Sequence, residues 1–339
     1  MWDIIGQERA VSLLKHSLET RTAAHAYLFV GPEHVGKMTL ALDLARALNC
    51  EAEERPCLTC DSCKKIAAGN HADVQIIGLM QNEADEETKL IGIDQIKNIQ
   101  HDANLPPFEG KQKVFIIDRA ELMSTEAANC LLKTLEEPAE KVTFILLANN
   151  DRRLLETVIS RCQHIELPPL SIDEETKALA EKAGIDKEKA RLLAGLSHGC
   201  PGWALAAINN ESILERREEE LNNITGLISA NIEERFDYAG RLAAGFNKDR
   251  RAVYDVLNTW LDYWRDLMLA RLGHIEMITN IDRKEEISKR AGSYSLASIK
   301  NFMQSIEAAA RQLSQNVNAR LALEVLMIDI PKEEVTSPV

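Results

Sequence analysis

Four cysteines within fourteen residues, Cys50, Cys57, Cys60 and Cys63, form the densest group of metal-ligating side chains in this sequence. Their spacing is C-x6-C-x2-C-x2-C. Two-residue intervals turn successive thiolates back toward one centre, and four sulfurs at tetrahedral corners are a set that zinc accepts. With every position filled by protein, no water could bind the metal, so a zinc ion here is expected to be structural. The competing arrangement is a pair of disulfides or unligated thiols. Disulfides need an oxidising compartment, and the N-terminus shows no basic, apolar, small-residue leader, so a reducing cytoplasmic setting is expected. Cys130, Cys162 and Cys200 are scattered and share no ligand spacing.

A second group is suited to phosphate chemistry. Residues 31–38 read GPEHVGKM, which fits G-x4-G-K but carries Met38 where the motif needs a magnesium-binding hydroxyl. Gly31 and Gly36 permit a tight loop, its N–H groups and the following helix start form an anion cradle, and Lys37 adds a positive charge. Thr39 has a hydroxyl, but one step along a helix turns it by about 100° from the ion's position. Asp118 stands where a second metal-binding acid belongs, yet the residue after it is Arg119 and not a water-orienting glutamate. Glu121 is acidic but is expected to point elsewhere. The loop therefore reads equally as a residual nucleotide cradle or as a bare strand-to-helix turn, and neither reading expects competent hydrolysis.

The elements that must position these groups are legible as apolar periodicity. Residues 26–30 (AYLFV), 113–117 (KVFII) and 142–148 (VTFILLA) read as buried strands. Helical spacing covers 11–19, 39–48, 94–102 and 125–135, with Pro138 stopping the last. Continuous apolar strands separated by helices imply a parallel sheet covered on both faces. Beyond Pro168 and Pro169 the pattern is helical only, including 252–272 and 296–313. The expected organisation is an α/β nucleotide-fold domain over 1–167 with the cysteine module at 50–63, a small helical lid over 168–209, a helical domain over 210–330 and a flexible tail over 331–339.

Composition bounds the function. The chain has 339 residues, 45% of them hydrophobic, with 53 acidic against 40 basic side chains and a formal charge of −13. At about 100–200 residues per domain this is a multidomain globular protein. No apolar run approaches the roughly twenty residues of a membrane span. The acidic excess opposes a stand-alone nucleic-acid binder, because affinity for phosphate backbones comes mainly from Lys and Arg displacing counterions.

Several strings then carry a family resemblance. Ile4-Ile5-Gly6-Gln7, the loop at 31–38, the four-cysteine insertion after its helix, LLKTLEEP at 131–138 and Ser160-Arg161-Cys162 follow one another here in the order found in bacterial clamp-loader subunits. The chain resembles the AAA+ clamp-loader family of DNA polymerase III, densely to about residue 208 and by length and class beyond. The resemblance implies an AAA+ P-loop NTPase-like fold with a lid and an all-α collar. It also implies a hetero-pentameric ring with tau/gamma and delta subunits that opens the sliding clamp and places it on primed DNA, as a cytoplasmic, nucleoid-associated replisome component. In such a polymerase holoenzyme the nucleotidyl transfer belongs to another subunit.

The resemblance further assigns zinc to Cys50, Cys57, Cys60 and Cys63, although the x6 interval is shorter than in relatives. It gives Arg161 the role of an arginine finger, offered across the ring to ATP held by a neighbour. Active relatives carry a lid arginine where Trp203 stands here. Met38, Arg119 and Trp203 each remove a different catalytic contribution, which describes a non-hydrolysing stator. The alternative is an active tau/gamma-like ATPase, which would need Ser or Thr at 38 and Glu at 119. A zinc-dependent nucleic-acid module is a third reading, opposed by the charge. Asn149 matches a polar sensor position. Trp260 and Trp264 are expected in the core, Lys97 on a helix that relatives turn toward DNA, and the pairs Arg152-Arg153, Arg216-Arg217 and Arg250-Arg251 in solvent.

Overall fold

The computed structural model describes residues 2–79, 90–246, 248–315 and 317–333. The chain divides into two compact units, Met1–Ile185 with Ser197–Trp203, and Asp186–Leu196 with Ala204–Val339.

The first unit is built on a five-stranded parallel sheet: β1 (Ala26–Val30), β2 (Val74–Ile77), β3 (Lys113–Ile117), β4 (Val142–Ala148) and β5 (Gln163–Glu166), in the order β2-β3-β4-β1-β5. The three apolar runs become the three central strands at the expected boundaries. Alternate residues of each run feed opposite faces, so a continuous run is what a sheet covered on both sides requires. Tyr27, Phe29, Ile116, Ile145 and Leu147 face one core, and Leu28, Phe115, Ile117, Phe144 and Leu146 the other.

Helices α1 (Glu8–Glu19) and α2 (Lys37–Asn49) supply Leu14, Leu40 and Leu44 to the first core. After α3 (Asp61–Ala67), helices α4 (Ile93–Ala103) and α5 (Thr125–Glu136) supply Ile96, Ile99, Leu131 and Leu135 to the second. Ser124 caps α5 by accepting from the N–H of Ala127. A one-turn helix α6 (Glu156–Ile159) precedes β5, and α7 (Ile172–Ala183) follows it, opened by a capping box between Ser171 and Glu174.

The second unit is helical among its described residues. It contains α8 (Lys187–Leu196), most of α9 (Pro201–Asn209), α10 (Ser212–Ser229), α11 (Ile232–Phe246), α12 (Arg250–Arg271), α13 (Lys284–Ala291), α14 (Leu296–Ser314) and α15 (Ala319–Ile328). Trp260 and Trp264 are fully buried in it, with the Trp264 ring 4.9 Å from Phe302 and 5.2 Å from Tyr294. Arg235 is buried too, and donates to the carbonyls of Leu227, Ile228, Met327 and Ile330, closing the ends of α10 and α15. Arg217, expected in solvent, instead pairs with Asp282 at 2.7 Å and also donates to Asn280. Of the tail expected over 331–339, residues 334–339 lie outside the described residues. Among the described residues, no helix is long and apolar enough to cross a membrane.

Candidate functional site

The loop at 31–36 leaves the C-terminal end of β1, flanked by β4 and β5. Gly31 donates to the carbonyl of Ala148 at 3.1 Å, and a Cβ there would lie 2.3 Å from the carbonyl oxygen of Leu167, so only glycine fits between the two strand ends. Gly36 turns the chain into α2 with φ +108°. Lys37 follows and is buried. Its Nζ donates to the carbonyls of Gly31 at 2.6 Å and Pro32 at 2.7 Å, and to Oδ1 of Asn149 at 2.8 Å. An ammonium has three N–H donors, and all three are directed into the protein. Burial lowers the pKa of Lys37, opposed by the carboxylates of Glu121, Asp118 and Glu33.

Asp118 stands at the end of β3, its N–H bonded to the carbonyl of Ile77 at 2.7 Å. Arg119 takes the left-handed conformation and pairs with Glu33 at 2.9 Å on the exposed side of the loop. That turn starts a single 3-10 turn over Ala120–Leu122 and brings Glu121 back across the sheet end. Glu121 does not point elsewhere. Its Oε1 accepts from the N–H of Asn149 at 3.1 Å, its Oε2 is buried without a hydrogen-bond partner, and it is the leading carboxylate acting on Lys37. Met38 packs on the core of α1 and α2, while Thr39 is half-buried one residue further along. Gly202, at the start of α9, donates to the carbonyl of His34 at 2.9 Å and so lies directly on the loop.

Gly31, Gly36, Lys37, Thr39 and Asp118 therefore meet at one end of the sheet, as a phosphate site requires. A phosphate arriving there would have to exchange three hydrogen bonds at Lys37. Two further residues noted in the sequence join them: Asn149, at the sensor-like position, whose side chain engages the lysine, and Glu121, expected to point elsewhere.

A buried carboxylate also lies in this unit. Glu175, on α7, accepts from Oγ of Ser197 at 2.7 Å, and its second oxygen has no hydrogen-bond partner. Burial raises its pKa to about 7, against the lowering effects of Ser197 and His198. In the sequence it is one acid among several in a helix start, with nothing to mark it.

The cysteine module hangs between α2 and β2. Cys50 caps the end of α2, Cys60 the start of α3, and Cys63 lies within α3. The four sulfurs all lie within 4.8 Å of one another, a spacing compatible with a tetrahedral metal at thiolate bond lengths of about 2.3 Å. Cys50 and Cys63 are buried, and Cys57 and Cys60 half-buried. Backbone N–H groups already point at the sulfurs, from Cys57 to Cys50 at 3.4 Å and from Cys60 to Cys57 at 3.3 Å. Oγ1 of Thr59 and the backbone amides of Cys60 and Thr59 hold the Cys57 thiol down to about 5, whereas burial pushes Cys63 up to about 12. This donor set fits a metal ion, whose charge favours the thiolate form of all four.

The module is moored from outside. Lys65 pairs with Glu109, and the buried Asp73 carboxylate accepts from the N–H groups of Phe108, Glu109 and Gly110 at 2.7–2.8 Å. The first effect on Asp73 is burial, which raises its pKa, yet these amides and His71 outweigh it and hold it below the ordinary value.

Arg161 follows α6 and makes none of its hydrogen bonds with the loop. Its Nη2 donates to Oε1 of Glu136 at 2.6 Å, and its Nη1 to the carbonyl of Thr157 at 2.9 Å.

The two units each match a known family description. A family model described as "DNA polymerase III, delta subunit" matches residues 6–171, and one described as "DNA polymerase III, delta subunit, C terminal" matches residues 214–332. The chain belongs to the DNA polymerase III delta-subunit family. Within that family it is 29% identical over 326 residues to the DNA polymerase III subunit delta' of Bacillus subtilis, covering 95% of both chains. It is 32% identical over 276 residues to the tau subunit of the same organism, covering 78% of this chain and 46% of that protein. Among solved structures, a DNA polymerase III gamma subunit-related protein from Thermotoga maritima is similar with a TM-score of 0.44 and 18% identity, over 94% of this chain and 98% of that one. Glu136 lies in the LEEP string and Arg161 in the SRC string, and the sequence marks the arginine but not its pairing with Glu136.

Proposed function

We propose that this chain serves as the delta-prime-type subunit of a DNA polymerase III clamp loader, a non-hydrolysing stator that helps a ring of related subunits open a sliding clamp and place it on primed DNA. The observation that carries this is Lys37. Its three donors are taken up by Gly31, Pro32 and Asn149, in a loop with Met38 and a site with Arg119 in place of the hydrolytic hydroxyl and glutamate. Alignment with a delta' subunit along 95% of both chains supports the same reading.

In this reading Arg161 is offered to ATP bound by a neighbouring tau/gamma-type subunit, where its guanidinium stabilises charge on the transferring phosphoryl group. The residues of this chain bind and orient, and the reaction takes place on the neighbour. The cysteine module holds a structural zinc ion, which fixes the chain between α2 and α3. Residues 168–209 act as the lid and 210–330 as the collar, working in the cytoplasm with tau/gamma and delta partners. The collar assignment is supported by an apolar stripe on α15, where Leu321, Val325 and Ile328 are about half exposed at helical spacing.

The test is reconstitution with the other clamp-loader subunits, clamp and primed DNA. The isolated chain is expected to show no ATPase activity, and Arg161→Ala is expected to leave assembly intact while lowering clamp- and DNA-stimulated turnover by at least about a hundredfold at the site it serves. Turnover by the isolated chain that disappears in Lys37→Ala would instead favour an active tau/gamma-like ATPase.

A further inference from the structure

Arg161 is held, although it is partly exposed. One of its guanidinium's three hydrogen bonds runs to a carboxylate on a different element: Glu136 Oε1 at 2.6 Å, beside the Thr157 carbonyl at 2.9 Å and Ser160 Oγ at 3.3 Å. A guanidinium has five N–H donors in a fixed plane, so three bonds leave two for a partner.

The two sides of this pair lie on different elements that share one core, a single turn on the Arg161 side and a twelve-residue helix on the Glu136 side. Arg161 follows α6, a helix of only four residues whose Val158 is buried in the sheet's core, and Thr157 and Ser160 belong to that same short turn. Glu136 is the last residue of α5, whose Leu131 and Leu135 are buried in the sheet's core. That helix end is fixed further by Gln100, which donates to the carbonyl of Cys130 at 2.7 Å and to Oγ1 of Thr134 at 3.0 Å, and by the His25 ring against the carbonyl of Leu135 at 3.1 Å. Of the guanidinium's three acceptors, Glu136 is the one on another helix, and it ties Arg161 to the end of α5. Charge-assisted bonds of this kind to arginine are the stronger ones, and they fix direction as well as distance.

We propose that Glu136 is a positioning residue for Arg161. It sets the plane of the guanidinium before the neighbouring subunit arrives, so that the two remaining N–H donors meet the phosphoryl group without a search among rotamers. Preordered donors aimed at developing charge act mainly on turnover, and in this proposal Glu136 acts through Arg161. This inference rests on the finger reading of Arg161.

The experiment uses the full reconstituted complex and its clamp- and DNA-stimulated ATPase, with four versions of this chain: Glu136→Ala, Glu136→Gln, Arg161→Ala, and Glu136→Ala with Arg161→Ala. Glu136→Ala is expected to lower kcat about fivefold with KM for ATP little changed. Glu136→Gln keeps an acceptor oxygen and is expected to restore most of that loss. In the Arg161→Ala background, Glu136→Ala is expected to have no further effect. Unchanged or faster turnover in Glu136→Ala overturns the proposal, as does the same loss persisting without Arg161. An Arg161→Ala complex with unchanged turnover refutes the finger reading itself, and that result is read from the single variant alone. If Glu136→Ala does not assemble, Glu136→Asp, which keeps the charge but withdraws it by one methylene, serves in its place. A loss confined to chains that retain Arg161 supports the proposal, and any other result rejects it.

Discussion

Nζ of Lys37 and Oδ1 of Asn149 lie 2.8 Å apart, which joins the start of α2 to the residue following β4 across the mouth of the loop. With the Gly31 and Pro32 carbonyls completing the set, the lysine is a buried strut in this chain. Lys37→Met keeps the length of the side chain but leaves three acceptors without their donor. The expected cost is about 1–3 kcal/mol, since an acceptor stripped of its partner loses more than one bond's net worth. Denaturant melts of the wild type and the variant measure it. Nucleotide titration of the two proteins is expected to show equally little binding, because in the wild type the lysine is already engaged.

Glu175 makes stability depend on pH in the direction opposite to an ordinary carboxylate. Its pKa is raised by burial from 4.5 to about 7, so between those values the folded chain holds a proton that the unfolded chain has released. Stability is therefore highest below about pH 4.5 as far as this group is concerned, and it falls as pH rises through 7. The full difference corresponds to roughly 3 kcal/mol. Glu175→Gln mimics the protonated form and keeps an acceptor for Ser197. Melting temperatures from pH 5 to pH 8 should drop less in the variant than in the wild type, and parallel curves would show that Glu175 titrates normally.

The cysteine module makes a prediction independent of any complex. One metal ion per chain, zinc by the proposal, is expected in elemental analysis of protein purified without chelator. Cys63→Ser, which alters a buried ligand, is expected to lose it. Without the ion, residues 50–67 lose the centre that joins the end of α2 to α3, so protease cleavage there should rise while the sheet keeps its protection. Full metal content in Cys63→Ser would place the ion elsewhere.

What the sequence revealed and what it concealed have physical causes. The three central strands were legible because both faces of each are buried and the runs are apolar throughout. Strands β2 and β5 sit at the sheet edges, are four residues long and keep polar residues such as Gln75 and His164, so they offer no such run. The four cysteines and the glycines of the loop were legible because spacing alone specifies their geometry. The orientation of Glu121 was not, since it depends on a left-handed turn at Arg119, a residue that rarely adopts one. The pairing of Arg161 with Glu136, twenty-five positions apart, depends on how α5 and α6 lie on the sheet. Arg217 was misread for a similar reason: on a helix dense with charge, only the fold shows that Asp282 receives it.

The face of α15 gives the last prediction. Leu321, Val325 and Ile328 stand at i, i+4 and i+7, with exposures of 58%, 48% and 59%, while Leu323, Leu326 and Met327 on the opposite side are buried in the helical core. A helix apolar on both sides has one face for its own unit and one for another surface. Leu321→Glu with Val325→Glu changes only the outer face, so the cost to the isolated chain should stay within about 0.5 kcal/mol per site. In reconstitution, the doubly substituted chain should melt like the wild type yet fail to co-elute with the tau/gamma-type and delta subunits, because burying two carboxylates in an apolar contact opposes association. Normal co-elution would remove α15 from the collar contact and leave the stripe unexplained.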